Sequence, residues 1–197
     1  GGFSYGDVLG AGRGWANKII HNENAYNALS LFFNSKDKFT LGVCNGCQML
    51  SNLKEIIPGS SHWPSFTHNN SNQFEARQVL VKIPKSNSIL FKGMHESIIP
   101  IIVSHGEGKV TVSKSNDLKK ITMAYVDDSG KKTTSYPNNP NGSVSGATGF
   151  CNNDGRINIM MPHPERLMHI NNFSWAPPKW KTSPWVKIFN NAREWVD

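Results

Sequence analysis

The chain lacks the features that mark membrane and secreted proteins. No stretch of its 197 residues approaches the roughly 20 apolar residues of a membrane span. No basic-then-apolar leader follows Gly1, and the three cysteines are an odd, low number that is typical of a reducing compartment. We therefore expect a cytoplasmic protein with no membrane partner. Because the first residue is not methionine, we also expect the natural start to lie upstream.

Runs of one charge are also missing. Lys and Arg number 21 against 14 Asp and Glu, a formal net charge of +7, yet no run reaches four basic residues. A basic chain can bind nucleic acid, but scattered lysines are more typical of a solvated surface. We expect no nucleic-acid partner, and a weak attraction to anions remains the alternative.

The apolar pattern predicts one α/β domain over residues 1–197. No repeat, linker or low-complexity tract interrupts the chain, and its 38% of hydrophobic residues suffice for a core. Strand-like runs occupy 38–43, 79–83, 98–103, 123–126 and 156–161, and helical spacing occupies 25–33, 49–53 and 185–192. Asp127 to Gly130 predicts a hairpin turn, and Ser183-Pro184 predicts the start of the last helix. We expect a mostly parallel sheet with an antiparallel insertion in the middle.

The segment Gly42-Val43-Cys44-Asn45-Gly46 lies between a strand-like run and a helical one. This Gly-x-Cys-x-Gly pattern is typical of a nucleophile elbow with sulfur in place of oxygen. A helix N-terminus beneath the sulfur lowers the pKa of a thiol, and the Asn45 amide could donate to an oxyanion. The alternative is a structural cysteine buried in a tight turn.

Cys44 and Cys47 also form a Cys-x-x-Cys pair, which has three interpretations. A zinc site normally needs a second ligand pair, and Cys151 stands alone, so we expect no metal. A thioredoxin-like redox pair is possible. The third interpretation, a single nucleophile with an incidental neighbour, is favoured by the elbow.

His163 and Glu165 follow a strand-like run and alternate with two prolines in Met-Pro-His-Pro-Glu-Arg. A cysteine nucleophile needs a base, and the base needs an orienting group. In an extended segment these two side chains lie on the same side, so the carboxylate could fix the imidazole tautomer. We predict that His163 faces Cys44, although 119 residues separate them. The alternative is a structural histidine.

Two glycine-containing segments complete the candidate site. The start, Gly-Gly-Phe-Ser-Tyr-Gly-Asp, lacks the Lys-Ser/Thr of a phosphate-binding loop, and a loop that offers amides to a carbonyl oxygen suits it better. The alternative is a flexible terminus. Ser104-His105-Gly106-Glu107-Gly108 follows a buried strand, where α/β sheets bind ligands, but a plain turn fits it equally well.

Taken together, these segments resemble class I glutamine amidotransferase domains. Within that class, the chain is most similar to the C-terminal glutaminase domain of the large single-chain phosphoribosylformylglycinamidine synthases. The resemblance covers nearly the whole chain, and further matching pieces are Ile57-Pro-Gly59, Asn72 to Arg77, Tyr136 to Gly142 and Ser183 to Arg193.

The resemblance implies a flavodoxin-like fold and a Cys-His-Glu triad. Cys44 matches the nucleophile, His163 the base and Glu165 its partner. Cys47 matches a family residue without a catalytic role.

The resemblance also implies a glutamine-binding pocket. Gly2 and Asn45 match the oxyanion-hole amides, and Gln48 matches a glutamine-contacting position. Ser104 and His105 fall near the part of the pocket that holds the α-amino and α-carboxylate groups.

The family domain begins with a strand, a helix and a second strand ahead of the Gly-Gly-Phe-Ser motif, and this chain starts at the motif. The resemblance therefore implies a fragment of a longer polypeptide whose synthetase domains receive the ammonia. Those domains would use ATP and Mg²⁺, whereas this domain is expected to bind no cofactor. The rival hypotheses are a zinc or redox module, a non-catalytic or nucleic-acid-binding domain, and another amidotransferase of the same fold.

Overall fold

The computed structural model describes residues 1–2, 9–112, 118 and 120–197. Residues 3–7 of the first motif therefore lie outside the described residues. The helices are α1 (Ala11–Ile20), α2 (Glu23–Asn34), α3 (Asn45–Asn52) and α4 (Val186–Val196). The strands are β1 (Thr40–Val43), β2 (Ser65–Thr67), β3 (Glu75–Lys82), β4 (Ile98–His105), β5 (Lys109–Thr111), β6 (Ile121–Tyr125), β7 (Ala147–Cys151) and β8 (Ile157–Met160).

A six-stranded sheet in the order β1-β8-β7-β6-β3-β4 organises the described residues, and β2 and β5 form a small antiparallel pair beside it. β1 pairs with β8 in parallel, with Val43 opposite Met160. This pairing places the carboxyl ends of β1 and β8 side by side. The segments that follow the two strands, which carry Cys44 and His163, therefore start at one edge of the sheet.

The α/β class is confirmed, but the expectation of a mostly parallel sheet is wrong for the described residues. Only β1 and β8 are parallel, and the other four neighbouring pairs are antiparallel. The reason lies partly in the connections. The five residues 152–156 join β7 to β8, and so short a link allows only a hairpin, because a parallel crossover needs a dozen or more residues.

Two apolar cores cover the two faces of the sheet. On one face, residues of α1 and α3 such as Ala16 and Leu50 pack with Phe150 of β7 and Ile159 of β8. On the other face, Trp185 and Ile188 at the start of α4 pack with residues of β3 and β4. The sheet is therefore a middle layer, and the helix that follows β1 is held firmly against it.

Side chains at the ends of α2 fix its length. The Asn22 side chain accepts a hydrogen bond from the Ala25 amide at 2.9 Å and caps the N-terminus. At the other end, the buried Arg156 donates to the carbonyls of Phe33 and Ser35. This arginine thereby joins the end of α2 to the start of β8.

Two turn predictions have different outcomes. The hairpin at Asp127 to Gly130 is confirmed, because the Gly130 amide donates to the Asp127 carbonyl and Val126 bridges to Lys132. The last helix begins two residues later than predicted, at Val186. Ser183 still caps the preceding turn, since its hydroxyl accepts from the Trp185 amide at 3.1 Å. Among the described residues, no helix is both long and apolar enough to cross a bilayer.

Candidate active site

Cys44 occupies a sharp turn between β1 and α3. Its φ of 55° and ψ of −116° lie in a region that non-glycine residues rarely adopt, which is typical of functional sites. Its amide donates to the Met160 carbonyl at 3.0 Å and thus extends the β1–β8 pairing by one residue. The turn predicted from the Gly-x-Cys-x-Gly pattern is confirmed.

The glycines on either side of Cys44 make the turn sterically feasible. A Cβ atom at Gly42 would lie 2.6 Å from Leu50 Cδ1 and 2.8 Å from the Gly46 oxygen, closer than real Cβ contacts. A Cβ atom at Gly46 would lie 3.2 Å from the Gly1 nitrogen. The elbow therefore needs glycine at position 42, whereas a side chain at position 46 would require Gly1 to move by a few tenths of an ångström.

The first two residues lie against this elbow. A Cβ atom at Gly1 would lie 2.8 Å from the Val43 oxygen, and Gly2 has a φ of +84° that favours glycine. Asn45 is the first residue of α3 and is buried. The amides of Gly2 and Asn45 are thus carried by segments next to Cys44, and their role as oxyanion donors stays a prediction.

The Cys44 side chain is directed toward the end of β4. Its thiol donates to the Ser104 carbonyl at 3.7 Å, and the residue is 4% exposed. Cys44 also stands at the N-terminus of α3, where the helix dipole favours a thiolate. The sulfur therefore lies between the start of α3 and the end of β4.

The other two cysteines have the properties of structural thiols. Burial raises the pKa of Cys47 well above its usual value, and the negative charge of a Cys44 thiolate raises it further. Burial raises the pKa of Cys151 to about 12. None of the three cysteines forms a disulfide, and within the described ranges no cluster of three His, Cys, Asp or Glu side chains could hold a metal ion. These properties favour neither the redox nor the zinc hypothesis.

His163 is fixed by its backbone and by one carboxylate. Its amide donates to the Ile102 carbonyl of β4 at 2.8 Å, and its Nδ1 contacts Glu165 Oε1 at 2.6 Å. The residue is 2% exposed, and among the described residues its Nε2 has no hydrogen-bond partner. With Nδ1 donating to the carboxylate, Nε2 remains available for a reacting group.

Glu165 is suited to orient this imidazole. Partial burial alone would raise the pKa of Glu165, but its hydrogen bond to His163 and the attraction of a protonated ring lower the pKa below its usual value. The carboxylate therefore stays ionised near neutral pH. The His-Pro-Glu spacing thus produces the side-chain pair that the sequence predicts.

Gln48 lies one turn into α3, above a small cavity. Its Nε2 donates to the Glu107 carbonyl at 2.6 Å. The cavity has a volume of about 170 Å³, and Asn45, Gln48, His105 and Glu107 contribute to its lining. These four residues come from α3 and from residues 104–108, which we call the 104–108 loop.

The structure places Ser104 and His105 close to Cys44 but gives their side chains structural partners. Arg166 donates to the Ser104 hydroxyl at 3.1 Å, and the Ser104 carbonyl faces the Cys44 thiol. The His105 ring is buried, with its Nε2 3.1 Å from Asn141 Nδ2. Burial, together with the charge of a protonated His163, lowers the pKa of His105 to about 3 despite an opposing effect of the Met161 carbonyl. Their predicted contact with glutamine remains untested.

Sequence reasoning missed three residues that organise this site. Glu107 accepts from the Gly10 amide at 2.7 Å and lies 3.6 Å from His68, so it joins the start of α1 to the cavity. Asn69 and Asn141 hold the 104–108 loop through their side chains. Glu107 and Asn141 lie within segments that the sequence analysis singled out, but nothing in the sequence assigns a role at the site to these two residues or to Asn69.

The comparisons with known proteins concern the family and the fold of the chain. A family model described as a CobB/CobQ-like glutamine amidotransferase domain matches residues 1–196. Among solved structures, PurLQS from Thermotoga maritima aligns with 100% of this chain and 77% of its own, at 22% identity and a TM-score of 0.68. A glutamine amidotransferase from the same organism covers 73% of this chain and 49% of its own, at 15% identity and a TM-score of 0.40. The family match and the likeness to PurLQS confirm the expected amidotransferase fold.

Proposed function

This chain belongs to the CobB/CobQ-like glutamine amidotransferase domain family, and from that premise we propose that it is the glutaminase of a phosphoribosylformylglycinamidine synthase. It releases ammonia from glutamine, and a synthetase site uses that ammonia to convert formylglycinamide ribonucleotide to the amidine in purine biosynthesis. The observation that supports this most is the conjunction of a strained Cys44 elbow with the His163–Glu165 pair. Both stand at the ends of adjacent parallel strands.

The first half-reaction breaks the C–N bond of the glutamine side chain. The Cys44 thiolate adds to the amide carbon, and the amides of Gly2 and Asn45 donate to the oxyanion that forms. His163 gives its proton to the amide nitrogen as the C–N bond breaks, and Glu165 stabilises the imidazolium beforehand. Ammonia leaves, and a γ-glutamyl thioester remains on Cys44.

The second half-reaction restores the enzyme. Neutral His163 removes a proton from water, which attacks the thioester carbonyl at the same oxyanion site. The C–S bond breaks, glutamate leaves, and the Cys44 thiolate is regenerated beside the imidazolium. Gln48 holds the substrate within the adjoining cavity throughout.

The narrower identity rests on sequence motifs. Gly-Val-Cys-Asn-Gly-Cys-Gln, Ser-His-Gly-Glu-Gly and Met-Pro-His-Pro-Glu-Arg match the synthase glutaminase together, over nearly the whole chain. The proposal includes synthetase domains on the same polypeptide and a cytoplasmic location. ATP and Mg²⁺ would be bound by those domains, where ATP activates the oxygen that ammonia replaces.

The test uses the full-length protein and its Cys44→Ala variant. Glutamine-dependent amidine formation should disappear in the variant, while synthesis from added ammonium salt should stay at the wild-type rate, because only the glutaminase reaction needs the thiolate. Cys47→Ala is the matched control and should retain glutamine-dependent synthesis. Equal loss of both activities in a folded Cys44→Ala variant would contradict a separate glutaminase site. A wild-type protein that releases glutamate but forms no amidine would overturn the narrower identity alone.

A further inference from the structure

The 104–108 loop is held from one side by Asn69. The Asn69 side chain donates to the His105 carbonyl at 2.7 Å and accepts from the Gly108 amide at 3.0 Å. Its backbone amide also donates to the Gly106 carbonyl at 3.0 Å. One buried asparagine therefore makes three hydrogen bonds to the backbone of five consecutive residues.

Asn141 holds the same loop from the other side. Its Nδ2 donates to the Gly108 carbonyl at 2.9 Å and lies 3.1 Å from His105 Nε2. Its Oδ1 accepts from the Ser143 amide and hydroxyl, at 3.0 and 2.7 Å, so the side chain is itself fixed. In a neutral ring with its proton on Nδ1, His105 Nε2 can accept from this amide, which also lies 3.3 Å from the Tyr125 hydroxyl.

The two chain segments that carry these asparagines are also joined. The Asn70 amide donates to the Asn141 carbonyl at 3.1 Å, which connects the segment after β2 to the segment before β7. Asn69 and Asn141 are each no more than 1% exposed. We call this pair the asparagine clamp.

The clamp acts on one peptide group that faces the candidate site. The peptide between Glu107 and Gly108 presents its N–H to Asn69 and its carbonyl to Gln48 Nε2, at 2.6 Å. Fixing the N–H therefore fixes the direction of the carbonyl. The next carbonyl, that of Gly108, is fixed by Asn141.

We propose that Asn69 and Asn141 are positioning residues for glutamine binding, because they orient the Glu107–Gly108 peptide so that its carbonyl holds the Gln48 side chain in place at the cavity. This inference rests on the proposed glutaminase function. In this proposal neither asparagine contacts glutamine, and both act through Gln48. Gln48 itself lines the cavity, and its Oε1 is buried beside Gly12 of α1, so a fixed Gln48 side chain gives this wall of the cavity a fixed shape.

The test compares Asn69→Ser and Asn141→Ser with Asn138→Ser in the full-length protein. The serine side chain is too short to form the hydrogen bonds of the asparagine amide, and it places no charge in the interior. Asn138 is the matched control, since it lies three residues from Asn141, is half-buried and lines a different cavity. For each clamp variant we expect the KM for glutamine to rise about 10- to 100-fold, as expected for the loss of one or two buried hydrogen bonds, with a much smaller change in kcat. Asn138→Ser should leave both constants unchanged.

A double-variant cycle separates positioning from general destabilisation. If the clamp acts through Gln48, adding Asn69→Ser to Gln48→Ala should raise the KM by no more than about twofold beyond Gln48→Ala alone. Thermal unfolding of every variant checks folding. Where the serine variants do not fold, Asn69→Gln keeps an uncharged amide but shifts it by one methylene from the 104–108 loop, and it should show the same rise in KM.

Each outcome bears on one claim. Unchanged KM in both clamp variants, or fully multiplicative effects with Gln48→Ala, would overturn the inference while wild-type glutaminase activity leaves the proposed function intact. A wild-type protein that releases no glutamate under any condition would overturn the proposed function and the inference with it.

Discussion

The elbow and the 104–108 loop contribute opposite walls of the candidate site, and they are built in different ways. The elbow is held by the main chain: β1 pairs with β8, the Cys44 amide continues the pairing, and two glycines permit the turn. In the 104–108 loop, residues 104 and 105 still pair with β3, and the remainder is held mainly by the side chains of Asn69 and Asn141. The geometry at Cys44 is thus fixed by the local backbone, whereas the 104–108 loop depends on residues more than thirty positions away from it.

The largest effect expected concerns which cysteine reacts. A glutamine-mimicking electrophile should label Cys44 and spare Cys47 and Cys151, because only Cys44 combines a helix N-terminus with the imidazole segment, whereas burial raises the pKa of the other two. Peptide mapping after partial labelling measures the distribution. Label found chiefly on Cys47 would mean that Cys44 is not the nucleophile. The elbow would then not be the reactive wall of the site.

The next effect concerns the base. Glu165→Gln should keep the geometry but remove the charge that stabilises the imidazolium, with a loss of roughly 10²–10⁴ in glutaminase rate, the usual contribution of a positioned acid–base group. His163→Ala should cost as much or more, because it removes the proton carrier.

The double variant distinguishes one catalytic unit from two independent residues. Glutamate release by the Glu165→Gln/His163→Ala protein should be little slower than by His163→Ala alone, since members of one unit are non-additive. Strictly multiplicative losses would mean that Glu165 does not act through His163.

A smaller effect compares how tightly the elbow and the 104–108 loop are packed. Gly42→Ala should reduce the free energy of unfolding by about 1–3 kcal/mol, because the new methyl group would overlap the Gly46 carbonyl, a backbone atom that cannot move away. Gly106→Ala, in the 104–108 loop, meets no atom within 4 Å and should change the stability by less than about 0.5 kcal/mol. Urea unfolding of the two variants provides the measurement, and equal losses would mean that the elbow is not the more tightly packed wall.

This contrast also explains what could be predicted from the sequence. The elbow and the His163–Glu165 pair are local patterns, because strand, turn and helix follow one another within a few residues and a spacing of two fixes the side of an extended segment. The roles of Asn69 and Asn141 could not be predicted, since Asn-Pro-Asn-Gly has the composition of any surface turn and its partners lie in a distant loop.

Whether neighbouring strands run parallel or antiparallel could likewise not be predicted from the sequence. The apolar residues 98–103 predict a buried strand, and β4 is one, but an apolar run is compatible with either direction of its neighbour. Its antiparallel pairing with β3 over the whole of Glu75 to Lys82 depends on the path of the chain between them. The prediction of the local strand was therefore correct, whereas the prediction of a mostly parallel sheet was wrong.

The smallest effect concerns the pH dependence of stability in the 104–108 loop. Burial, with the charge of His163, lowers the pKa of His105 to about 3 from an ordinary value of 6.5. Between those values the unfolded chain binds a proton that the folded protein does not, so this group makes the protein less stable as the pH falls below 6.5. Its contribution to the slope approaches at most roughly 1.4 kcal/mol per pH unit. His105→Gln should therefore flatten the fall in unfolding free energy between pH 6.5 and 5, whatever its effect on stability at pH 7. Urea midpoints for the wild type and the variant at several pH values measure both slopes. Identical slopes would mean that His105 takes up its proton in the folded state, and Asn141 would then not hold the ring in its neutral form.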